Sequence, residues 1–191
     1  MPNKLLLLLI CLCYPLSGCA PAIVAAGASA GGAVIYDERS LDTMYHDTEI
    51  TQQAKYNLKS DADLKGLAHI NVASFNRTVL MVGQVARPEL RAKAYKLVSD
   101  VTGIKRIHNE VTVEGLTSTS TRSNDVWITT KVKSAMLTEK GLHSAQIKVV
   151  TENGVVYLMG LVTQKHADIA TNVARSVAGV RTVVKVFEYL Q

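Results

Sequence analysis

The chain has 191 residues, a formal net charge of +5 and 48% hydrophobic residues. This length suits one medium domain or two small ones, and the apolar content excludes a wholly disordered chain. The basic residues are scattered rather than clustered with the few aromatic residues, which argues against a nucleic-acid-binding protein.

The first 18 residues have the pattern of a secretory signal peptide. Lys4 precedes an apolar run at residues 5–12 that is too short to span a bilayer as a helix. The run leads to Leu-Ser-Gly-Cys at residues 16–19, which resembles the lipobox of bacterial lipoproteins. We therefore expect residues 1–18 to be removed and Cys19 to carry acyl chains, palmitate among them, as a permanent membrane anchor.

Ala20, and not Asp, follows the predicted lipidated cysteine. In lipoproteins of diderm bacteria, Asp at this position usually signals retention in the inner membrane. By resemblance to that rule, Ala20 implies export to the outer membrane, with the protein facing the periplasm. Residues 19–46 are predicted to form an Ala/Gly-rich tether, with a short amphipathic helix as the alternative.

Two stretches of the remaining chain are near copies of one another. Thr78–Val85 reads T-V-L-M-V-G-Q-V, and Val155–Val162 reads V-V-Y-L-M-G-L-V, at a constant offset of 77 residues. The offset falls to 76 at Gly103 and Gly179. This spacing is longer than the periods of solenoid proteins and predicts two small domains. Because each core would be small, we expect the two units to pack on one another.

The first unit, residues 47–114, is predicted to have the order α-β-β-α-β. Helical spacing of Ile50, Ala54 and Leu58 predicts the first helix, and alternation of apolar and polar residues predicts the strands. The signals that follow are strands at 69–74 and 78–85 joined by a turn at Asn76-Arg77, a helix that opens at Pro88 and is capped by Gly103, and a strand at 107–113.

A Ser/Thr-rich segment at residues 115–123 is predicted to be a linker, and residues 124–191 repeat the first unit. Asn124 or Asp125 is expected to cap the first helix of this second unit. Asn153-Gly154 predicts the hairpin turn. The fold class is therefore α+β, with two tandem units that each pack a small mixed sheet against two helices.

Catalytic chemistry is not indicated by the sequence. The five histidines have no metal-ligand spacing, and every cysteine lies at or before Cys19. A glycine-rich phosphate loop after a strand and a G-x-S-x-G motif are both missing. We therefore predict a protein that is not an enzyme and that uses no metal ion or cofactor.

The only tryptophan, Trp127, lies away from the predicted core face of its helix, which Ile128, Val132 and Met136 share with Ala135. A large aromatic side chain on the outer face suits an anchor at a membrane interface, and lysines beside it would reach lipid phosphates. The alternative is that Trp127 packs against the first unit. The residues predicted to bind phospholipid are Trp127, Thr130, Lys131, Lys133, Ser134, Leu137 and Thr138.

The two units resemble the BON domain (bacterial OsmY and nodulation). Each has a glycine in the second hairpin strand, Gly83 or Gly160, and a Val-x-Gly-Val/Ile motif before the last strand, at residues 101–104 and 177–180. Two such units behind a lipobox resemble the dual-BON outer-membrane lipoproteins. The resemblance implies a protein that binds anionic phospholipid, maintains the cell envelope and collects at the division site. The alternative is a periplasmic adaptor whose Trp127 face docks an envelope-assembly, cell-wall or division protein.

Overall fold

The computed structural model describes residue 37 and residues 39–190, which lie within one compact unit that runs from Ile35 to Gln191. The predicted signal peptide, Cys19 and the Ala/Gly-rich part of the tether lie outside the described residues. The first BON-like unit contains α1 (Leu41–Ser60), β1 (Ala68–Phe75), β2 (Thr78–Val85), α2 (Pro88–Ser99) and β3 (Arg106–Val113). The second contains α3 (Thr119–Thr138), a short 3-10 turn (Ser144–Gln146), β4 (Ile147–Glu152), β5 (Val155–Val162), α4 (Gln164–Ser176) and β6 (Thr182–Tyr189).

Each unit has a three-stranded mixed sheet with the second hairpin strand in the centre. β2 pairs antiparallel with β1 and parallel with β3, and β5 pairs in the same way with β4 and β6. Val79 lies opposite Ser74 and Ile107, and its equivalent Val156 lies opposite Thr151 and Val183. The predicted α-β-β-α-β order and the equivalence of the two units are therefore confirmed.

The two sheets pack back to back, with the helices on the outside. Alternate residues of β2 point to opposite faces: Val79 and Met81 join the core beneath α1 and α2, whereas Leu80 and Val82 face the other sheet. The core between the sheets consists of Ala73, Phe75, Leu80, Val82, Val150, Tyr157, Met159 and Val186. Each large apolar side chain that is fully buried contributes about 1.5–3 kcal/mol, so this shared core links two units whose own cores are small.

Polar side chains lie at the edges of the core between the sheets and form hydrogen bonds from one unit to the other. Gln84 donates from Nε2 to Glu152 Oε1 at 2.8 Å, and Lys148 donates from Nζ to the carbonyl oxygen of Ser74 at 2.9 Å. Burial raises the pKa of Glu152, while the hydrogen bond from Gln84 and the charge of His69 oppose that shift. Burial likewise lowers the pKa of Lys148.

A buried aspartate near the start of each outer helix holds the hairpin turn of its unit. The carboxylate of Asp47 accepts hydrogen bonds from the backbone N–H groups of Asn76 and Arg77, both at 2.8 Å. In the second unit, Asp125 accepts from the N–H groups of Asn153 and Gly154 at 2.8 and 2.7 Å. Because these turn residues have positive φ, their N–H groups point inward and need an acceptor there.

The prediction that Asn124 or Asp125 caps α3 is wrong. Ser118 is the N-cap, since its hydroxyl oxygen accepts a hydrogen bond from the N–H of Thr121 at 3.1 Å. The helix therefore begins at Thr119, inside the segment assigned to the linker. Similarly, α1 begins at Leu41 behind the N-cap Ser40, inside the range assigned to the tether.

Gly103 and Gly179 both have positive φ, with values of 90° and 98°. Gly103, which was predicted to cap α2, does not end that helix directly, because α2 stops at Ser99; in the same way α4 stops at Ser176, before Gly179. They lie in the following turns, which pass close to the outer helices. A Cβ atom at residue 179 would lie 3.2 Å from Cδ1 of Ile128 on α3.

Candidate lipid-binding surface

Helix α3 has one buried side that fixes the orientation of the other. Ile128, Val132 and Met136 recur at four-residue spacing and are almost completely buried in the core of the second unit. The hydroxyl of Thr129 on the flank donates to the carbonyl oxygen of Asp125 at 2.9 Å and lies 2.7 Å from the hydroxyl oxygen of Thr151, within hydrogen-bond distance. This side of the helix is therefore held firmly against β4, and the opposite side is open to solvent.

Three large apolar side chains lie exposed on the open side of α3. Trp127 is 60% exposed, Val126 is 69% exposed and Leu137 is 75% exposed. The alternative interpretation, in which Trp127 packs against the first unit, requires a covered indole ring and does not agree with this exposure. We call these three residues, together with the exposed polar residues Thr130, Lys133, Ser134 and Thr138 beside them, the α3 outer face.

All seven predicted lipid-binding residues lie on α3, and six of them are exposed: Trp127, Thr130, Lys133, Ser134, Leu137 and Thr138. The hydroxyl groups of Thr130 and Thr138 donate to carbonyl oxygens of their own helix, those of Val126 at 3.0 Å and Ala135 at 3.1 Å. These threonines therefore present mainly their methyl groups to solvent. The face is more apolar than its composition suggests.

Lys131 is placed differently from the prediction. Its ammonium group donates a hydrogen bond of 2.6 Å to the carbonyl oxygen of Ala178, in the turn after α4, and the residue is half-buried. Lys131 thus holds that turn against α3. Its charge stays on the border of the outer face, although one of its three donors is already used.

Lys133 is exposed on the other flank of α3. It lines a cleft of about 450 Å³ together with Ser134, Leu137 and Ile147. The cleft places a cationic group beside an exposed leucine at the end of the helix. A cationic group and an apolar side chain are therefore available to one ligand at this end of the helix.

The outer face of α1 in the first unit does not repeat the residues of the α3 outer face. Asp47 and Ile50 on α1 correspond to Asp125 and Ile128 on α3, an offset of 78 residues. With that offset, Glu49 replaces Trp127, Gln53 replaces Lys131 and Lys59 replaces Leu137. The two helices share their buried residues and differ on their outer faces, where α1 exposes Leu41, Tyr45 and Tyr56 at other positions.

The sequence interpretation did not include Val126 and the cleft beside Leu137. Val126 follows Asp125 directly and lies about 100° from Trp127 around the helix, which a helical wheel would have shown. The cleft depends on how the 3-10 turn at Ser144–Gln146 approaches α3, and no local sequence pattern encodes that approach.

Within residues 39–190, no three histidine, cysteine or acidic side chains come together in a way that would hold a metal ion. None of the helices described in that part of the chain has the length and apolar character needed to cross a bilayer.

The sequence profile of the BON domain matches residues 46–115 and 124–191. Outer membrane lipoprotein DolP of Haemophilus influenzae is 35% identical over 189 residues, which cover 99% of this chain and 97% of that protein. The 21 kDa hemolysin of Actinobacillus pleuropneumoniae is 38% identical over 155 residues, 81% of this chain and 80% of that protein.

Osmotically-inducible protein Y of Escherichia coli is 27% identical over 158 residues, 81% of this chain and 78% of that protein. None of these three relatives has the name of an enzyme. Both matched segments fall on the two structural units, and the DolP match extends over nearly the whole length of both chains. The chain therefore belongs to the BON-domain family, as a dual-BON outer-membrane lipoprotein similar to DolP.

Proposed function

We propose that the protein binds anionic phospholipid through the α3 outer face. The observation that carries this proposal is the exposure of Trp127, at 60%, on the side of α3 opposite its buried residues. An indole ring at a membrane interface buries its apolar body while its N–H remains near the headgroups. Leu137 adds a second apolar contact, and Lys133 supplies a cation worth about 1 kcal/mol near an anionic surface.

Lipidation at Cys19 would keep the α3 outer face close to a membrane. The 22 residues from Cys19 to Ser40 span at most about 80 Å when fully extended, which limits the distance between the anchor and the folded unit. Binding by α3 would then be an intramolecular event with a high effective concentration of lipid. A modest affinity of α3 for lipid is therefore sufficient.

The cysteine has its own test. Cys19→Ala removes the thiol that the lipobox presents for acylation, so the variant should not incorporate a palmitate analogue and should leave the outer-membrane fraction. Continued labelling and continued fractionation with the outer membrane would show that Cys19 is not the anchor.

We further propose that lipid binding serves outer-membrane integrity at the division site. This rests on the resemblance to dual-BON lipoproteins. A fluorescent fusion should concentrate at midcell in dividing cells, and loss of the protein should increase sensitivity to detergents. A uniform distribution, or unchanged sensitivity, would contradict this part of the proposal.

Co-sedimentation with vesicles tests lipid binding directly. Residues 35–191, which contain both units, should sediment with phosphatidylglycerol vesicles and much less with phosphatidylcholine vesicles. Binding should weaken as salt rises from about 0.05 to 0.5 M, because screening shortens the range of the lysine–phosphate attraction.

Absence of binding to either type of vesicle would favour the adaptor function. Exposed aromatic residues are also typical of protein–protein contacts, and the α3 outer face would then dock an envelope-assembly, cell-wall or division protein. Equal binding to both types of vesicle would contradict the proposed preference for anionic lipid.

A further inference from the structure

A second surface of the molecule is an open groove on the first unit. It has a volume of about 740 Å³ and lies between the outer side of α1 and the turn at residues 100–103. The α1 side chains that line it are mostly amides and an aromatic ring: Gln52, Gln53, Tyr56 and Asn57. The α3 outer face lies on the other unit, so the groove belongs to a different surface.

The amide groups in the groove are ordered by a chain of hydrogen bonds. Gln53 donates from Nε2 to Asn57 Oδ1 at 2.8 Å, and Asn57 donates from Nδ2 to the carbonyl oxygen of Leu97 at 3.1 Å. The side chain of Gln52 makes no hydrogen bond to another described residue. The side-chain oxygen of Gln53 therefore remains available to accept a hydrogen bond from a ligand. The side-chain amide of Gln52 can both donate to a ligand and accept from it.

The same position in the second unit is closed. Lys131 corresponds to Gln53, and its ammonium group bridges to the carbonyl oxygen of Ala178 at 2.6 Å. Ala178 corresponds to Thr102 in the turn of the first unit, since Gly179 corresponds to Gly103. Gln53 instead turns along its own helix toward Asn57, which leaves the space between α1 and the turn open.

The two carboxylates that line the groove already have polar partners on the protein. The carboxylate of Glu49 lies 3.2 Å from Nδ1 of His46, and that of Asp100 lies 3.7 Å from Nζ of Lys96. Neither carboxylate is therefore left without a neighbouring partner for a cationic ligand to replace. Tyr56 is 67% exposed and offers an aromatic face on which an apolar surface of a ligand could stack.

We propose that this groove binds a neutral oligosaccharide that carries acetamido groups. Such a molecule presents one N–H and one C=O in each acetamido group, which match the free positions on the Gln52 and Gln53 amides. Its C–H faces stack on an aromatic ring such as that of Tyr56. A cationic peptide would bind best to carboxylates without partners, whereas Glu49 already lies beside a ring nitrogen of His46 and Asp100 beside the ammonium group of Lys96.

The test is an NMR titration of residues 35–191 with tri-N-acetylchitotriose. Backbone amide signals of Gln53, Tyr56 and Gly103 should shift together, with a Kd on the order of 1 mM. Gln53→Lys should reproduce the closed arrangement of the second unit and weaken binding at least about tenfold. Tyr56→Ala should weaken it as well, whereas Tyr95→Ala, an exposed tyrosine on α2 outside the groove, should not.

Three results would overturn the proposal. The first is the absence of shifts in the groove at about 10 mM trisaccharide. The second is equal shifts with maltotriose, which has no acetamido groups. The third is shifts with a tetralysine peptide but none with the trisaccharide, which would identify the groove as a site for cationic peptides. If Gln53→Lys lowers the melting temperature, Tyr56→Ala compared with Tyr95→Ala decides the question.

Discussion

Replacing Trp127 with glutamate separates lipid binding from folding. The ring is 60% exposed, so most of its contact area is available to a membrane and little is used in the core. A buried tryptophan covers about 150–250 Å², of which the exposed share is roughly 90–150 Å². At about 25 cal/mol per Å², covering that share contributes about 2–4 kcal/mol, which is roughly a 30- to 700-fold change in affinity. Trp127→Glu should therefore abolish detectable sedimentation with phosphatidylglycerol vesicles, because the added carboxylate is also repelled by the headgroups.

The matched control is Tyr45→Glu on α1. Tyr45 is 64% exposed, so this variant removes an equally exposed aromatic ring and adds the same charge on the other unit. It should bind vesicles like the unmodified protein, and both variants should keep its melting temperature to within a few degrees. Trp127→Glu that stays folded and still binds would refute the reasoning. So would an equal loss of binding in Tyr45→Glu, because the effect would then be one of net charge alone.

Three further predictions concern the fold that presents this surface. Gly179→Val should lower the melting temperature by roughly 5–10 °C, since valine would be forced to a positive φ and against Ile128. Gly103→Val should lower the melting temperature less, because the nearest neighbour of a Cβ atom there is 3.7 Å away. Equal melting temperatures for the two variants would contradict this. Asp125→Ala should lower the free energy of unfolding by about 2–5 kcal/mol in a denaturant titration, because it leaves the buried N–H of Gly154 and the part-buried N–H of Asn153 without their acceptor. A loss below about 0.5 kcal/mol would show that water replaces the carboxylate. Glu152→Gln should raise the free energy of unfolding at pH 7, because burial raises the pKa of Glu152 in the folded state. The ionised carboxylate therefore destabilises the fold increasingly as pH rises from the unfolded-state pKa toward the folded-state pKa. At pH values below both pKa values the gain from the substitution should vanish. A gain from Glu152→Gln that grows toward acid pH would reverse the assigned direction.

The repeated sequence predicted the fold well because every element has a local signal that is present twice. The hairpin turns, the apolar strands and the glycines with positive φ each consist of residue types that favour that local conformation. The helix starts were harder to predict. Ser118 and Ser40 are single capping residues in polar segments. Asp125 is of a residue type that is common at N-caps, but it binds the hairpin turn 28 residues further along the chain.

The sequence predicted that the two units pack on one another, but it did not show that they do so through the faces of their sheets that point away from the helices. Apolar residues on both faces of β2 and β5 indicate burial on both sides, without showing what covers the second face. The candidate site shows the same division. The exposed position of Trp127 follows from helical periodicity, which is local. The bond from Lys131 to Ala178 depends on two segments 47 residues apart, and only the folded chain brings them together.

Contact between the α3 outer face and a membrane would change the fluorescence of Trp127. Because it is the only tryptophan in the chain, the emission reports on this one side chain. On addition of phosphatidylglycerol vesicles to residues 35–191, the account predicts a shift of the emission to shorter wavelength and quenching by brominated acyl chains, with neither effect for phosphatidylcholine vesicles. Sedimentation with the anionic vesicles without a change in the emission of Trp127 would contradict this contact and place the lipid contact elsewhere on the molecule.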